Sequence, residues 1–257
     1  MILPDDRGFT LGDGLFETLL AERGELRDLA AHLGRMAAGC AVMGLPAPDA
    51  AAAEAALRGA VEDAGLGAAR AAVRLTWTAG SGGRGLNRPE TLTPHLVATA
   101  APAPKPTTPA RLALSRIRRN DGSPAAGLKS LAYLDNVLAR REALAAGADE
   151  AIMLNTRGEL ACAAAANLFW ISQGRLFTPD LGCGVLPGIV RARVIAAAAA
   201  LGVAVEAVRT GPEILGSADG IFLTNSLIGL RQAVSLDGKP CDLSRLADSL
   251  SAATGES

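Results

Sequence analysis

Only three of the 25 basic Lys and Arg side chains are lysines: Lys105, Lys129 and Lys239. Lys105 stands between Pro104 and Pro106, and Lys239 follows the turn pair Asp237-Gly238, so both are expected in solvent. Lys129 opens an apolar run of Leu128, Leu131, Leu134, Val137 and Leu138. That spacing predicts a helix from Lys129 to about Ala146, stopped by Gly147. Burial disfavours an ammonium ion, and a neutral amine is a nucleophile, a base and a Schiff-base former. The run alone leaves a second reading open, a lysine at a helix start whose charge snorkels to water.

Other residues could hold an anion. Arg35 lies near His32 beside the apolar face of a helix over 28–44, with Asp28 as the expected N-cap and Leu29, Leu33, Met36 and Met43 facing inward. Solvation and anion binding are both open to Arg35. Leu186-Pro187-Gly188-Ile189-Val190 opens a helix reaching Gly202, and such an opening presents backbone N–H groups to a negative ligand. Arg84 is the one cation in the flexible loop Gly80-Ser81-Gly82-Gly83-Arg84-Gly85, which lacks the Gly-Lys-Ser/Thr ending of a phosphate loop.

The elements that must position these groups follow from periodicity. Strands are expected at Leu15–Ala21, just after Glu25, at Ala71–Thr78 and at Leu96–Ala101, with a second helix over Ala50–Ala64. Pro102, Pro104, Pro106 and Pro109 suit a stiff linker. This places an N-terminal α/β domain at 1–101, the linker at 102–109 and a larger C-terminal domain of sheet and helix at 110–257. The second half opens with a strand at Ala110–Arg116 and a polar stretch over Arg118–Pro124. Strands then recur at Ala151–Asn155, within Leu160–Ser172, at Gly174–Thr178 and at Asp219–Asn225.

Composition removes several classes. A net charge of -1 with dispersed charges and 3% aromatics gives neither a basic footprint nor a stacking platform for nucleic acid. No uninterrupted apolar run reaches membrane length. Met1-Ile2-Leu3-Pro4-Asp5-Asp6-Arg7 lacks the pattern of a signal peptide. Cys40, Cys162, Cys183 and Cys241 are far apart, with no Cys-x-x-Cys pair or His cluster, so no metal site is expected and a reduced, cytoplasmic protein is.

Six stretches in order resemble the fold type IV pyridoxal-phosphate enzymes, the class IV aminotransferase and aminodeoxychorismate lyase family. They are Asp6-Arg7-Gly8-Phe9 with Gly12-Asp13-Gly14-Leu15-Phe16-Glu17; His32-Leu33-Gly34-Arg35; Lys129 to Ala139; Asn167-Leu168-Phe169; Gly188-Ile189-Val190; and Thr224-Asn225-Ser226. The resemblance implies a two-domain fold like that of D-amino acid aminotransferase, pyridoxal 5'-phosphate as cofactor, a small-molecule amine as substrate and a homodimer. It also implies roles. Lys129 would hold the cofactor covalently and then move the proton. Arg35, the N–H groups of Ile189 and Val190, and Ser226 would hold its phosphate, with Val190 standing where a threonine is common. Tyr133 would reach the ring hydroxyl or pack on its helix, and Arg84 would take a substrate carboxylate.

One position departs from the pattern. The family's glutamate for the ring nitrogen falls five residues before the Asn of Asn-x-Phe, which here is Cys162; Glu159 is three residues further back and on the other strand face. A thiol donates weakly, so the ring should be less protonated and a poorer electron sink. That favours elimination of pyruvate from 4-amino-4-deoxychorismate to give 4-aminobenzoate, a reaction driven by aromatisation. Asn167-Leu168-Phe169-Trp170 and Asn225-Ser226-Leu227 also lean towards a lyase. The alternatives are an aminotransferase for D- or branched-chain amino acids and a cofactor-binding relative without turnover.

Overall fold

The computed structural model describes residues 3–255; Met1 and Ile2, where the N-terminal reading begins, lie outside the described residues. The chain divides into two units. One takes the chain up to Lys105 and adds Leu128–Tyr133; the other takes Pro106–Gly127 and the chain from Leu134 onward. The division after Lys105 falls inside the proline-rich stretch, and the return of Leu128–Tyr133 to the first unit departs from the single 110–257 domain expected.

The first unit is an antiparallel sheet of β1 (Gly14–Glu22), β2 (Glu25–Leu26), β3 (Arg70–Thr78) and β4 (His95–Pro102) in the order β2-β1-β3-β4. It also holds α1 (Arg7–Leu11), α2 (Leu29–Met43) and α3 (Ala50–Asp63). Alternation in β3 buries Ala71, Val73 and Leu75 against Leu19, Met36 and Leu57, and leaves Arg74 and Thr76 on the other face. Asp49 caps α3 by accepting from the N–H of Ala52 at 2.8 Å. Asp28 does not cap α2 with its side chain; it is left-handed, with φ 54°, and directs the chain into the helix through its backbone.

The expected helix at Lys129 is corrected. Lys129 is in an extended segment beside β1: its carbonyl accepts from the N–H of Phe16 at 2.9 Å, and the N–H of Leu131 donates to the carbonyl of Gly14 at 3.0 Å. The helix starts later, as α4 (Leu134–Ala145). Leu134 and Val137 are 67% and 59% exposed, so the apolar run is not one buried face.

The second unit is a nine-stranded mixed sheet. Its strands are β5 (Ala110–Arg119), β6 (Glu150–Asn155), β7 (Leu160–Ala163), β8 (Asn167–Ser172), β9 (Arg175–Pro179), β10 (Val205–Val208), β11 (Gly220–Asn225), β12 (Gly229–Leu236) and β13 (Lys239–Pro240). The path is β10-β9-β8-β11-β12-β5-β6-β7, with β13 on β12. Helix α4 packs over Ala151, Met153 and Cys162; α5 (Ile189–Ala200) and α6 (Arg245–Ala253) pack over Phe169 and Phe222. This is the two-part, mixed sheet-and-helix architecture expected. β5 runs on to Arg119, so Arg118 and Arg119 belong to a strand rather than to the polar stretch. Among the described residues no helix is long and apolar enough to cross a membrane.

Candidate active site

In the first unit the amine of Lys129 is part of an aromatic cluster. Lys129 Nζ is 4.3 Å from the Phe16 ring centre and 5.2 Å from that of Tyr133, and the two rings meet edge to face at 5.0 Å. Arg74 Cζ lies 3.7 Å from the same Phe16 ring. Burial pushes the Arg74 pKa down, against an opposing pull from Tyr133. Lys129 is thus half-buried, its amine over two aromatic rings, and it shares the Phe16 ring with a second cation. Sequence reading passed over Arg74. Its signal is the alternation of β3, which sets Arg70 and Arg74 on the non-core face, with Thr18 directly opposite Arg74.

Arg35 lies on the other face of β1. Its guanidinium grips Glu17, Nε to Oε1 at 2.8 Å and one Nη to Oε2 at 2.6 Å, and His32 Nδ1 is 2.7 Å from the same carboxylate. Burial pushes the Glu17 carboxyl up, but the hydrogen bonds from Arg35 and His32 outweigh it and hold the pKa below the usual range. Glu17 therefore stays ionised and fixes the plane of Arg35.

The glycine loop holding Arg84 is anchored, not flexible. Arg7, 4% exposed, donates to the carbonyls of Asn87 and Leu86 at 3.1 Å each and of Gly85 at 3.3 Å, while its Nε bonds Asp13 at 2.9 Å. Gly83 has φ +81°, and a Cβ there would stand 2.2 Å from the carbonyl of Asn87. Arg84 and Asn87 exchange backbone bonds at 3.2 Å, and the Arg84 side chain is exposed.

In the second unit two clusters matter. The first is at the start of α5. Asn167 donates to the carbonyl of Leu186 at 2.9 Å, and a Cβ on Gly188 would stand 1.8 Å from Asn167 Oδ1. Gly188 caps α5 without a side chain, so the N–H groups of Ile189 and Val190 lack partners within the helix. The Val190 side chain is buried in the cluster under α5. Ser226 follows β11 in a turn held by Asn225, whose Oδ1 accepts from the N–H groups of Leu227 and Ile228 at 2.8 and 2.9 Å.

The second cluster surrounds Cys162. Its thiol is buried among Ala161, Ala164, Met153 and the small residues of α4. Burial pushes the thiol up; the charge of Arg119 pulls it down and that of Glu150 adds to the rise. It therefore remains protonated at neutral pH. Arg119 donates to Asn136 Oδ1 at 3.3 Å and to the carbonyl of Gly184 at 3.2 and 3.1 Å, and Asn136 donates to the carbonyl of Ala164 at 2.8 Å. Glu159 is turned elsewhere, bonded to Asn155 at 2.7 Å and Arg157 at 3.1 Å.

Residues 14–236 match the family model described as amino-transferase class IV. The chain belongs to this family. Along the sequence it is 26% identical over 231 residues to the aminodeoxychorismate lyase of Vibrio harveyi, covering 88% of this chain and 83% of that one. It is 29% identical over 242 residues to a putative branched-chain-amino-acid aminotransferase of Methanocaldococcus jannaschii, covering 91% and 82%. Among solved structures, the 4-amino-4-deoxychorismate lyase of Pseudomonas aeruginosa superposes with a TM-score of 0.87 at 32% identity, over 98% of this chain and 93% of that one. A putative enzyme of the same name from Legionella pneumophila gives 0.89 at 29%, over 97% and 92%.

As a class IV aminotransferase the chain is an enzyme that depends on pyridoxal 5'-phosphate. The residues present fit that group. The start of α5 offers unpaired N–H groups and a glycine too confined for any side chain. Across the sheet from Asn167, the buried Thr224 hydroxyl has no hydrogen-bond partner. In the first unit, Lys129 Nζ sits on aromatic faces.

Proposed function

We propose that the chain is an aminodeoxychorismate lyase, releasing pyruvate from 4-amino-4-deoxychorismate to leave 4-aminobenzoate. The observation that carries this reading is the buried, protonated thiol of Cys162 with no carboxylate in its place. Pyridoxal phosphate supplies a site where a substrate amine bonds covalently and electrons are withdrawn from its carbon. A ring nitrogen facing a thiol withdraws them less than one held by a carboxylate. Elimination tolerates this because aromatisation drives it. The likeness to the two lyase structures supports the same reading.

The chain's own residues divide the work. Lys129 Nζ would hold the cofactor, and its free amine would take the substrate's ring proton and deliver one to the carbon of the departing pyruvate. Phe16 and Tyr133 hold that amine against their aromatic faces. On the first unit, Arg35, oriented by Glu17, is the candidate cation for the cofactor phosphate; on the second, the N–H groups of Ile189 and Val190 and Ser226 are candidate phosphate donors. Tyr133 would hold the cofactor's ring hydroxyl, and Arg84 and Arg74 would supply positive charge for the carboxylates of the substrate.

A second reading is a branched-chain or D-amino acid aminotransferase, favoured by the length of the match to the Methanocaldococcus jannaschii relative. The test is to incubate the purified holoprotein with 4-amino-4-deoxychorismate and, separately, with amino donors and 2-oxoglutarate. Release of 4-aminobenzoate and pyruvate in equal amounts supports the lyase. Keto-acid exchange without that release overturns it. Turnover in neither assay identifies a binding relative without catalysis.

A homodimer in a reducing, cytoplasmic compartment belongs to the same proposal. All four cysteines are free, as a reducing compartment keeps them. Light scattering that gives a mass of one chain would remove the dimer.

A further inference from the structure

We propose that the hydroxyl of Thr224 is a ligand of the cofactor phosphate, supplying at the start of α5 the hydroxyl contact that Val190 cannot. This rests on the pyridoxal-phosphate reading of the site. Three buried side-chain oxygens among the described residues lack a hydrogen-bond partner: Ser81 Oγ, Asp121 Oδ2 and Thr224 Oγ1. Asp121 is compensated by its ion pair with Arg157. Thr224 has 0% exposure and no charge to compensate it. A buried hydroxyl without a partner is costly, and its persistence points to a partner that arrives with a ligand.

The sheet register says where this hydroxyl lies. Along β11 and β8, Phe222 stands opposite Phe169 and Thr224 opposite Asn167. The two Phe rings stack at 5.0 Å in the cluster that includes Val190 and Val194 of α5. Alternation puts Thr224 and Asn167 on that same face, one cross-strand pair further on. Asn167 is the residue in contact with Leu186 and Gly188, the turn that opens α5. The register therefore puts the unpartnered hydroxyl on the sheet face that carries the turn opening α5. Packing does not demand it: valine has the same branched shape, and neighbouring Phe222 and Val190 are apolar. A phosphate monoester brings three acceptor oxygens to donors of this kind.

The test measures binding of pyridoxal 5'-phosphate and of pyridoxal, which lacks the phosphate, to refolded or stripped protein by equilibrium dialysis. The phosphorus-31 resonance of the bound cofactor is recorded alongside. Thr224→Val should weaken pyridoxal 5'-phosphate by about tenfold or more, leave pyridoxal unchanged and shift the phosphorus signal. Thr224→Ser should behave as the wild type, and Val190→Thr in the Thr224→Val background should recover affinity. Equal weakening of both ligands, or unchanged affinity with an unmoved phosphorus signal, would overturn the proposal and assign the hydroxyl to a structural water. If Thr224→Val does not fold, Thr224→Ala and Thr224→Ser are compared by the same two readouts. Should the wild type form no borohydride-fixed adduct at Lys129, the cofactor reading itself fails, which is distinct from a failure confined to Thr224.

Discussion

Arg35 and Glu17 make a two-point ion pair at 2.8 and 2.6 Å, with Glu17 only 1% exposed. The pair is worth more as a positioning device than as a source of stability, because much of its attraction offsets the cost of removing both charges from water. Glu17→Gln keeps the shape and removes the charge. It should destabilise the first unit by about 3 kcal/mol and weaken retention of the cofactor. Thermal unfolding and cofactor dialysis check both; intact retention would show that Arg35 does not depend on Glu17.

The same pair predicts a pH effect. The folded carboxyl titrates below its unfolded value, so its stabilisation is present above the ordinary Glu range, about 4.3, and is lost as pH falls through the depressed folded value. Melting temperature measured from pH 7 down to 3 should fall more steeply in the wild type than in Glu17→Gln. Parallel curves would place the acid sensitivity elsewhere.

Lys129 should carry the cofactor. Borohydride reduction and peptide mapping are expected to mark Lys129, and Lys129→Ala should abolish turnover while leaving the fold intact. Label on Lys105 or Lys239 would sink the assignment.

Cys162→Glu puts a carboxylate into a pocket near Arg119 and among small residues. It should raise the proton affinity of the ring nitrogen and favour transamination more than elimination. Overpacking should cost about 1–3 kcal/mol, so circular dichroism must accompany the assays. An unchanged cofactor spectrum in the folded variant would mean that Cys162 does not touch the ring.

Gly188→Ala should be among the most damaging small changes in the chain. The added methyl meets Asn167 Oδ1 at 1.8 Å, so Asn167 must leave its bond to Leu186 or α5 must shift. A loss of about 1–3 kcal/mol is expected, read by denaturant unfolding. Asn167→Ala should absorb part of the clash, so the double variant should lose less than the sum of the two single variants. Additive losses would contradict that coupling.

Much of this was legible along the chain. β1, β3, α2 and α3 follow from residue periodicity, and the start of α5 follows from Pro187-Gly188. The Lys129 segment was misread because leucines spaced like a helix face cannot reveal that β1, more than a hundred residues earlier, takes up the backbone groups of Lys129 and Leu131. Arg7 caging the glycine loop is equally non-local, joining Arg7 to Asn87. β12 was missed because Leu230, Ala233, Val234 and Leu236 do not keep a strict two-residue alternation, and β13 because it is two residues long. Arg119 was assigned to a loop, so its hold on Gly184 and Asn136 had no element to sit on.

The backbone bonds from β1 to Lys129 and Leu131 also set an order of events during synthesis. β2 pairs with β1 only at Ala21 and Glu22, so the stretch from Gly14 to Phe16 gains its neighbour on that side from residues 129–131. A ribosome that has released only the first 105 residues has made every helix and strand of the first unit, yet part of β1 still presents bare N–H and C=O groups. Such an edge recruits strands from other chains. A product truncated at Lys105 is therefore expected to aggregate, whereas one ending just past Tyr133 has the segment needed to close its own sheet.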